Sequence, residues 1–365
     1  MLIGFMLATV VALPPISPPS QEDDFRAWGL STLTRVRDSF RLENGLYAEA
    51  LDEREPAFNW GVGVLMSAMA AAAAEDPAWK AELRAYVEAT RAYWNPEGPV
   101  AGYDVLPMPK SADRYYDDNA WMVLALVEAS DVLGEPKFLT FAEEALKYVL
   151  SGEDGALGGG IYWREAKKES KNTCSNGPSA AACLAVYERT REPELLAKAK
   201  TLYSWTKTHL QDPEDGLFWD SIRLDGSVGR TKWSYNTALM IRTAATLARL
   251  TGEASFREDA ERMAEASHKR WIVNGRLADE AKFAFLLVDS WTLVPSSGRA
   301  RAARDAMRWL QEHGRGPDGW FGSRFDRKPA KDHKPTLIDQ AAAVRALLAG
   351  GLRREGPAPR ARARR

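Results

Sequence analysis

The sequence predicts an all-α fold, an (α/α)6 toroid or six-hairpin barrel, from three observations. A turn motif recurs along the chain, two helical segments fall within each repeat, and the links between helices alternate between short and long. The motif is Asp-Gly or Asn-Gly before apolar or aromatic residues, and both positions tolerate the positive φ of tight turns. Its six copies, of which the second is a weaker Glu-Gly, begin at Asn44, Glu97, Asp154, Asp215, Asn274 and Asp318. Intervals of 44 to 61 residues indicate one supersecondary unit repeated along the chain.

Each repeat contains two segments in which apolar residues recur at three-and-four spacing, the pattern of a helix packed on one side. The segments fall near 23–42, 60–75, 78–94, 117–133, 136–150, 176–190, 193–210, 235–251, 254–271, 281–293, 299–313 and 336–349. Some are charged on one face, as at Glu194 to Lys200, whereas others are apolar all round, as at Gly61 to Ala74. The first kind suits an outer ring that faces water, and the second kind suits an inner ring.

The links show where a site would form. Links from inner to outer helices are short, whereas links from outer to inner helices are long and rich in turns. The long loops and the first turns of the inner helices are therefore expected at one face of the ring. Polar residues crowd those first turns, at 59–60, 117–118, 175–176, 234–236, 280–282 and 336–339. Any one of them is most simply a helix cap, but six sets converging on a cavity predict a functional site.

Composition supports one globular domain over residues 23–352. Apolar residues make up 45% and charged residues 27% of the 365, and no linker divides this range. Lys and Arg number 49 against 50 Asp and Glu, so the overall charge indicates neither a nucleic-acid partner nor an anionic lipid surface. Thirteen Trp and eleven Tyr favour a carbohydrate ligand, because aromatic faces stack on sugar rings.

The two ends differ from this domain. Residues 1–22 form an apolar and Pro-rich leader, a candidate signal peptide that lacks the usual basic start. Its apolar run, Leu2 to Leu13, is too short to span a bilayer, so no stable membrane insertion is expected. Residues 353–365, dominated by Arg and Pro, are expected to be a disordered tail.

Neither cysteine nor histidine indicates a metal or a cofactor. Cys174 and Cys183 are nine residues apart, which in a helix places them on opposite faces about 13 Å apart along the axis. A disulfide needs Cα atoms within about 7 Å, so free, buried thiols are expected. The four histidines show no ligand spacing, and no metal or other cofactor is predicted.

The most informative motif is a pair of adjacent carboxylates, Asp117 and Asp118, within residues 115–121, which read Tyr-Tyr-Asp-Asp-Asn-Ala-Trp. Two acids this close repel each other when both are ionised, so one tends to hold its proton. A proton donor beside a carboxylate is what cleavage of a glycosidic bond requires. Helix capping is the alternative, but the inner-helix position and the aromatic neighbours favour catalysis.

The adjacency of the two acids also bears on stereochemistry. Retaining glycosidases place their carboxyls about 5–5.5 Å apart and inverting ones about 6.5–9.5 Å apart. Neighbouring residues entering a helix can meet the shorter distance and hardly the longer one. The motif therefore favours retention through a covalent glycosyl-enzyme intermediate, while the residues alone leave open which Asp plays which part.

The motif resembles the signature of glycoside hydrolase family 76, the endo-α-1,6-mannanases, and the resemblance extends over about residues 24–349. The glycine-rich loop Gly158 to Trp163 resembles a family loop in which glycines let the backbone approach a ligand and aromatics form a stacking floor. The helix starts Ser175-Asn176-Gly177 and Tyr235-Asn236 and the acid Asp220 resemble family features too. The usual Tyr-Asn-Gln/Thr-Gly start has become Tyr-Asn-Thr-Ala here.

The resemblance implies a retaining endo-glycosidase that hydrolyses α-1,6-mannosidic linkages in mannan-type polysaccharides. Carried onto this motif, Asp117 would be the nucleophile and Asp118 the acid/base. The residues expected to bind substrate, Trp163 by stacking, are Tyr116, Asn119, Trp121, Trp163, Asn176, Asp220, Tyr235 and Asn236. The expected partner is an α-mannan, the expected state a monomer and the expected location secreted or periplasmic, because a polymer-cleaving enzyme meets its substrate outside the cytoplasm.

Two alternatives remain. Another (α/α)6 sugar-processing enzyme, such as an epimerase or an unsaturated-uronyl hydrolase, would share the fold. An epimerase would need histidines or other bases in the cavity, whereas all four histidines lie outside the inner-helix starts. A non-catalytic glycan-binding protein could lose either acid of the pair, whereas this sequence keeps both.

Overall fold

The computed structural model of the chain describes residues 21–107 and 114–351. Most of the predicted leader and all of the predicted tail lie outside the described residues. The helices are α1 Gln21–Phe40, α2 Asn59–Glu75, α3 Lys80–Ala89, α4 Tyr116–Leu133, α5 Pro136–Leu150, α6 Thr173–Thr190, α7 Pro193–Leu210, α8 Ser234–Thr251, α9 Ala254–Trp271, α10 Ala281–Trp291, α11 Ser297–His313 and α12 Leu337–Gly351. Every predicted helix is present. The segment predicted at 78–94 is shorter as an α-helix because 3₁₀ turns flank α3 at Pro77–Trp79 and Thr90–Tyr93.

The even-numbered helices form a closed inner ring. Each packs against the next, α2 on α4 and so on to α10 on α12, and α12 packs back on α2. The odd-numbered helices lie outside, with α1 against α12, α5 against α4, α7 against α6 and α9 against α8. The inner helices are buried along nearly their whole length because they are apolar all round. The predicted (α/α)6 toroid is confirmed.

The recurring turn motif is built by its own first side chain. In the four copies at Asn44, Asp154, Asp215 and Asp318, the side-chain oxygen accepts a hydrogen bond from the backbone N–H two residues on, at 3.0 to 3.1 Å. Such Asx turns reverse the chain between an outer helix and the long loop that follows.

The loop that follows is then held by the first turn of the next inner helix. The Asn119 side-chain amide accepts from the Tyr103 N–H at 2.7 Å and donates to the Tyr103 carbonyl at 2.9 Å. The Asn176 amide pairs in the same way with Ile161, at 2.7 and 3.0 Å. The Gln340 amide pairs with Phe321, at 3.0 Å for both bonds. These three amide clamps, each on the fourth residue of its helix, satisfy buried backbone groups that would otherwise be costly.

Short antiparallel strands shape the loops. β1 Trp94–Asn95 pairs with β2 Gly102–Tyr103, and β6 Ile272–Val273 pairs with β7 Arg276–Leu277. β3 Ser170–Asn172, β4 Ser221–Arg223 and β5 Val228–Gly229 form a three-stranded sheet. A turn at Asp225-Gly226 joins β4 and β5 in a hairpin, and β3 pairs with the other edge of β4.

Farther along the inner helices, four charged side chains meet on the axis of the ring. Arg345 lies 3.1 Å from Asp289 and 3.6 Å from Glu128, and Arg242 lies 3.4 Å from Glu128 and 3.7 Å from Asp289. We call this set the axial charge ring. Each charge faces two partners of opposite sign, which offsets the cost of removing the charges from water.

None of the described helices is long and apolar enough to cross a membrane.

Candidate active site

A cavity of about 560 Å³ opens at the face where the inner helices begin. Its size is that of a typical ligand site, about 300–1,000 Å³. It is lined by Phe58, Trp60, Val105, Tyr115, Asp117, Asp118, Trp121, Trp163, Asn172, Cys174, Asp220, Tyr235 and Phe283. Of the ten site residues expected from the sequence, six lie here, namely Asp117, Asp118, Trp121, Trp163, Asp220 and Tyr235.

One register of the inner helices supplies four lining residues. Trp60, Asp117, Cys174 and Tyr235 are each the second residue of their helix, in α2, α4, α6 and α8. Because these helices enter the ring in the same orientation, the same position faces the axis in each. The signal was present in the sequence, since these residues are 57, 57 and 61 positions apart. This spacing would have added Trp60 and Cys174 to the predicted site.

Aromatic rings form one wall of the cavity. Phe283 stacks on Tyr235 with ring centroids 4.5 Å apart and on Trp60 at 5.7 Å, and Trp233 packs against it at 5.0 Å. Such contacts hold the rings rigidly. In the order of the inner ring, α10, which carries Phe283, stands opposite α4, which carries the two acids.

Asp117 is held by several donors. Its Oδ2 accepts a hydrogen bond from Trp163 Nε1 at 3.0 Å. Its carboxyl also lies beside the backbone N–H groups of Asp117 and Asp118, in the positively polarised first turn of α4. The N-cap of α4 is Tyr115, which makes no side-chain capping bond, so neither acid is the N-cap residue.

Burial and hydrogen bonding shift the pKa of Asp117 in opposite directions. The residue stays partly accessible from the cavity, but its carboxyl is enclosed by protein atoms. Burial raises the pKa of Asp117 to about 6, and the Cys174 thiol, the Trp163 indole and the first-turn N–H groups oppose that rise. The carboxyl is therefore ionised at neutral pH and takes up a proton in mildly acidic solution.

Two further carboxyls share the cavity. Asp118 follows Asp117 in the first turn of α4. Asp220 immediately precedes β4, and its backbone is fixed by bonds to the Thr173 N–H at 2.8 Å and the Gly229 carbonyl at 3.0 Å. Burial raises the pKa of Asp220, and the Ser221 and Asn236 side chains oppose the shift. Burial thus raises the pKa of two of the three carboxyls in the cavity, those of Asp117 and Asp220.

Trp163 stands on the cavity rim with 40% of its surface exposed and its ring centroid 5.1 Å from that of Tyr115. The loop before it is anchored by Lys171, a fully buried lysine in β3. The Lys171 ammonium donates to Asp154 Oδ1 at 2.8 Å and to the carbonyls of Ala156 and Gly159 at 2.7 Å. The loop is thus held by a cation coordinated much as a metal ion would be.

Four predicted substrate-binding residues lie behind the cavity instead. Tyr116 is buried and stacks on Tyr148, with centroids 5.0 Å apart. Asn119 and Asn176 are fully buried, and their side-chain amides form the clamps described above. Asn236 is also fully buried, beside Asp220. Tyr116, Asn119 and Asn176 face away from the cavity because successive residues of a helix are rotated by about 100° around its axis. In the structure these three side chains make packing and loop contacts, and their part in substrate binding stays a prediction.

The glycine-rich loop also serves the fold rather than a ligand. Gly160 lies so close to the Trp205 indole that an added Cβ would come within 2.6 Å of it. Its φ of +80° is one that residues with a side chain rarely adopt. Gly160 thus approaches the outer helix α7, and no glycine among the described residues lines the cavity.

The cysteines are free and buried, as predicted, although Cys174 also borders the cavity. None of the four histidines lies there. His209 stacks on Trp205 and His333 bonds to the Phe321 carbonyl. Within the described residues, no three His, Cys, Asp or Glu side chains are grouped as a metal site would require.

The family follows from comparison with known proteins. A model of glycosyl hydrolase family 76 matches residues 43–284. The chain belongs to this family. A mannan endo-1,6-alpha-mannosidase, DCW1 of Candida glabrata, is 26% identical over 198 residues, which cover 49% of this chain and 43% of the yeast protein. The family assignment thus rests on most of the toroid, whereas that relative extends well beyond the matched part.

Solved structures share the fold. A GH76 alpha-mannanase of Bacteroides thetaiotaomicron superposes with a TM-score of 0.85 and 28% identity, covering 90% of this family 76 chain and 95% of its own. An alpha-1,6-mannanase of Salegentibacter sp. HEL1_6, in complex with alpha-1,6-mannotriose, gives a TM-score of 0.79 at 22% identity, covering 90% and 99%. That structure is of an inactive variant with two consecutive Asp-to-Asn substitutions.

Proposed function

We propose that this protein is a retaining endo-α-1,6-mannanase that cleaves mannan-type polysaccharides through a covalent glycosyl-enzyme intermediate. The observation that carries the proposal is the pair Asp117 and Asp118, adjacent in the first turn of an inner helix and both lining the open cavity. Membership of family 76 and the likeness to mannanases support the substrate class. The inactive Salegentibacter variant, with its two consecutive Asp-to-Asn changes, agrees with a paired-acid site.

Asp117 is the nucleophile in this mechanism. The Trp163 indole donates to its carboxyl and the first-turn N–H groups lie beside it, which stabilises the ionised form that attacks the anomeric carbon. Asp118 donates a proton to the leaving glycosidic oxygen and then removes one from the water that hydrolyses the intermediate. Trp163 stacks on a sugar ring at the rim, while Asp220 accepts hydrogen bonds from sugar hydroxyls deeper in the cavity.

Azide rescue tests both the function and the division of roles. Purified wild type should release oligosaccharides from α-1,6-mannan, while Asp117→Ala and Asp118→Ala should lose at least about 10³-fold in kcat. With an aryl α-mannoside substrate and azide, Asp117→Ala should form a β-mannosyl azide, because azide replaces the nucleophile in one displacement. Asp118→Ala should form an α-mannosyl azide, because azide replaces water in the second displacement.

The controls separate these outcomes. Asp38→Asn, on the exposed side of α1, should behave as wild type. If the two variants give the opposite azide anomers, the roles are exchanged. If wild type releases no oligosaccharide and both variants bind mannan as wild type does, the protein is a glycan-binding protein and the proposal is wrong. The cavity favours a hydrolase over an epimerase, because none of the four histidines lines it.

We also propose that the protein acts as a monomer outside the cytoplasm, secreted or periplasmic. The support is the proposed polymeric substrate and the apolar leader in residues 1–22. Fractionation of the native cells, with light scattering of the purified protein, tests both points. An intact chain confined to the cytoplasm, or a stable dimer, would contradict them.

A further inference from the structure

Cys174 occupies a position that the proposed mechanism leaves unused. It is the second residue of α6, the register that places Asp117 in α4 and Tyr235 in α8 on the cavity. The residue is only 3% exposed, yet it borders the cavity. Its thiol lies beside both the Asp117 carboxyl and the Tyr235 hydroxyl.

Asp117 has one oxygen in need of a donor. Its Oδ2 is bonded to Trp163 Nε1 at 3.0 Å, whereas its Oδ1 is buried without a hydrogen-bond partner among the described residues. A buried carboxylate oxygen without a donor is costly. The Cys174 S–H is the side-chain donor that the cavity places next to this carboxyl besides Trp163.

The surroundings keep the thiol protonated. Burial raises the pKa of Cys174 well above its ordinary value, and the nearby carboxyls of Asp117 and Asp220 raise it further. Cys174 is therefore a donor over the whole working range of pH, and not a thiolate nucleophile. The titratable groups that face Asp117 are Asp118 on its own helix, Cys174 on α6, Tyr235 on α8 and Asp220 before β4.

We propose that Cys174 is a positioning residue, whose S–H donates to the buried oxygen of Asp117 and holds that carboxylate ionised for attack. The proposal rests on the function given above, with Asp117 as nucleophile. It predicts that removal of the S–H weakens the ionised form of Asp117, so that a proton binds to it more readily. The acidic limb of the pH–rate profile then moves to higher pH.

Four variants test this role: Cys174→Ser, Cys174→Ala, Cys174→Val and Cys183→Ala. The Ser variant keeps a donor, whereas Ala and Val remove it, and Val is close to Cys in size, so the comparison does not depend on one variant folding. Cys183→Ala is the matched control, because Cys183 is a free, fully buried thiol of the same helix outside the cavity. The measurement is kcat and KM on α-1,6-mannan between pH 4 and 9, with thermal melting of each variant.

The Ala and Val variants should shift the acidic limb upward by about 0.5–1 pH unit, which is about a 3- to 10-fold loss of kcat/KM below the limb. KM at pH 8 should not change. Cys174→Ser and Cys183→Ala should follow the wild-type profile. If wild type is active but the Ala and Val profiles overlie it, or all variants lose activity equally at every pH, the positioning role is wrong. If wild type is inactive on mannan, the proposed function fails instead.

Discussion

Replacement of Trp163 by Phe removes one hydrogen bond from Asp117 and leaves an aromatic ring on the cavity rim. The bond, from Nε1 to Oδ2, is 3.0 Å long and ends on a carboxyl whose pKa burial raises to about 6. A hydrogen bond to a charged group contributes about 1.5–3 kcal/mol. Since Trp163 is 40% exposed, we take the lower end. About 1.4 kcal/mol corresponds to one pKa unit.

The direction of the pKa shift follows from the form of Asp117 that the indole stabilises, which is the ionised form. The nucleophile must be ionised, so activity is lost as the pH falls through its pKa. Without the donor the ionised form is weaker, so the pKa of Asp117 should rise from about 6 by roughly one unit. At pH 5.5 the Trp163→Phe variant should keep about a tenth of the wild-type kcat/KM, with a smaller loss at pH 8.

A pH–rate profile on α-1,6-mannan measures this shift. Trp60→Phe is the matched control, because Trp60 lines the same cavity but its Nε1 has no hydrogen-bond partner in the part of the chain that the structure describes. That variant should raise KM without moving the acidic limb. An unmoved limb in Trp163→Phe, with activity lowered equally at all pH values, would refute the electrostatic role and leave Trp163 as a stacking surface only.

Two predictions concern the fold behind the cavity. Asn119→Ala should lower the free energy of unfolding by about 2–4 kcal/mol in urea titrations, because it leaves two buried backbone groups of Tyr103 unpaired. The KM of the folded fraction should not change. A raised KM at unchanged stability would show instead that Asn119 binds substrate. Lys171→Met should lower the free energy of unfolding by about 3 kcal/mol, because three oxygens lose the buried cation that they bind. Proteolysis within residues 154–163 should also become faster. An unchanged urea midpoint and cleavage rate would show that the lysine does not anchor the loop.

The sequence is enough to predict the architecture because the architecture repeats. Twelve apolar patterns and six turns must be satisfied by one ring, so an error at one helix is corrected by the other eleven. The largest overextension is in the segment at 78–94, where 3₁₀ turns flank α3. The acid pair was predictable for the same reason, since the start of an inner helix can lie only at the open face.

Side-chain direction within a first turn was harder to predict. Asp117 and Asn119 are two residues apart, yet the first faces the cavity and the second faces the preceding loop. Both are polar, and a polar residue at a helix start can bind a ligand, cap the helix or hold a neighbouring strand. Only comparison across repeats separates these roles, because the second residue lines the cavity in four inner helices and the fourth residue clamps the loop in three. Cys174 was missed because a thiol looks apolar in a hydrophobic pattern.

The axial charge ring closes the centre of the toroid on the side away from the cavity mouth. Glu128 is eleven residues beyond Asp117 on α4, which places the ring about 16 Å below the acids. Between them Trp121 packs against Phe285, with centroids 6.4 Å apart across the axis. Within the described residues, a polysaccharide therefore has no tunnel through the toroid to thread. Under the proposed function, a mannan strand would lie across the mouth of the cavity with both ends in solvent. We therefore expect the proposed mannanase to release the strand after each cleavage rather than move along it.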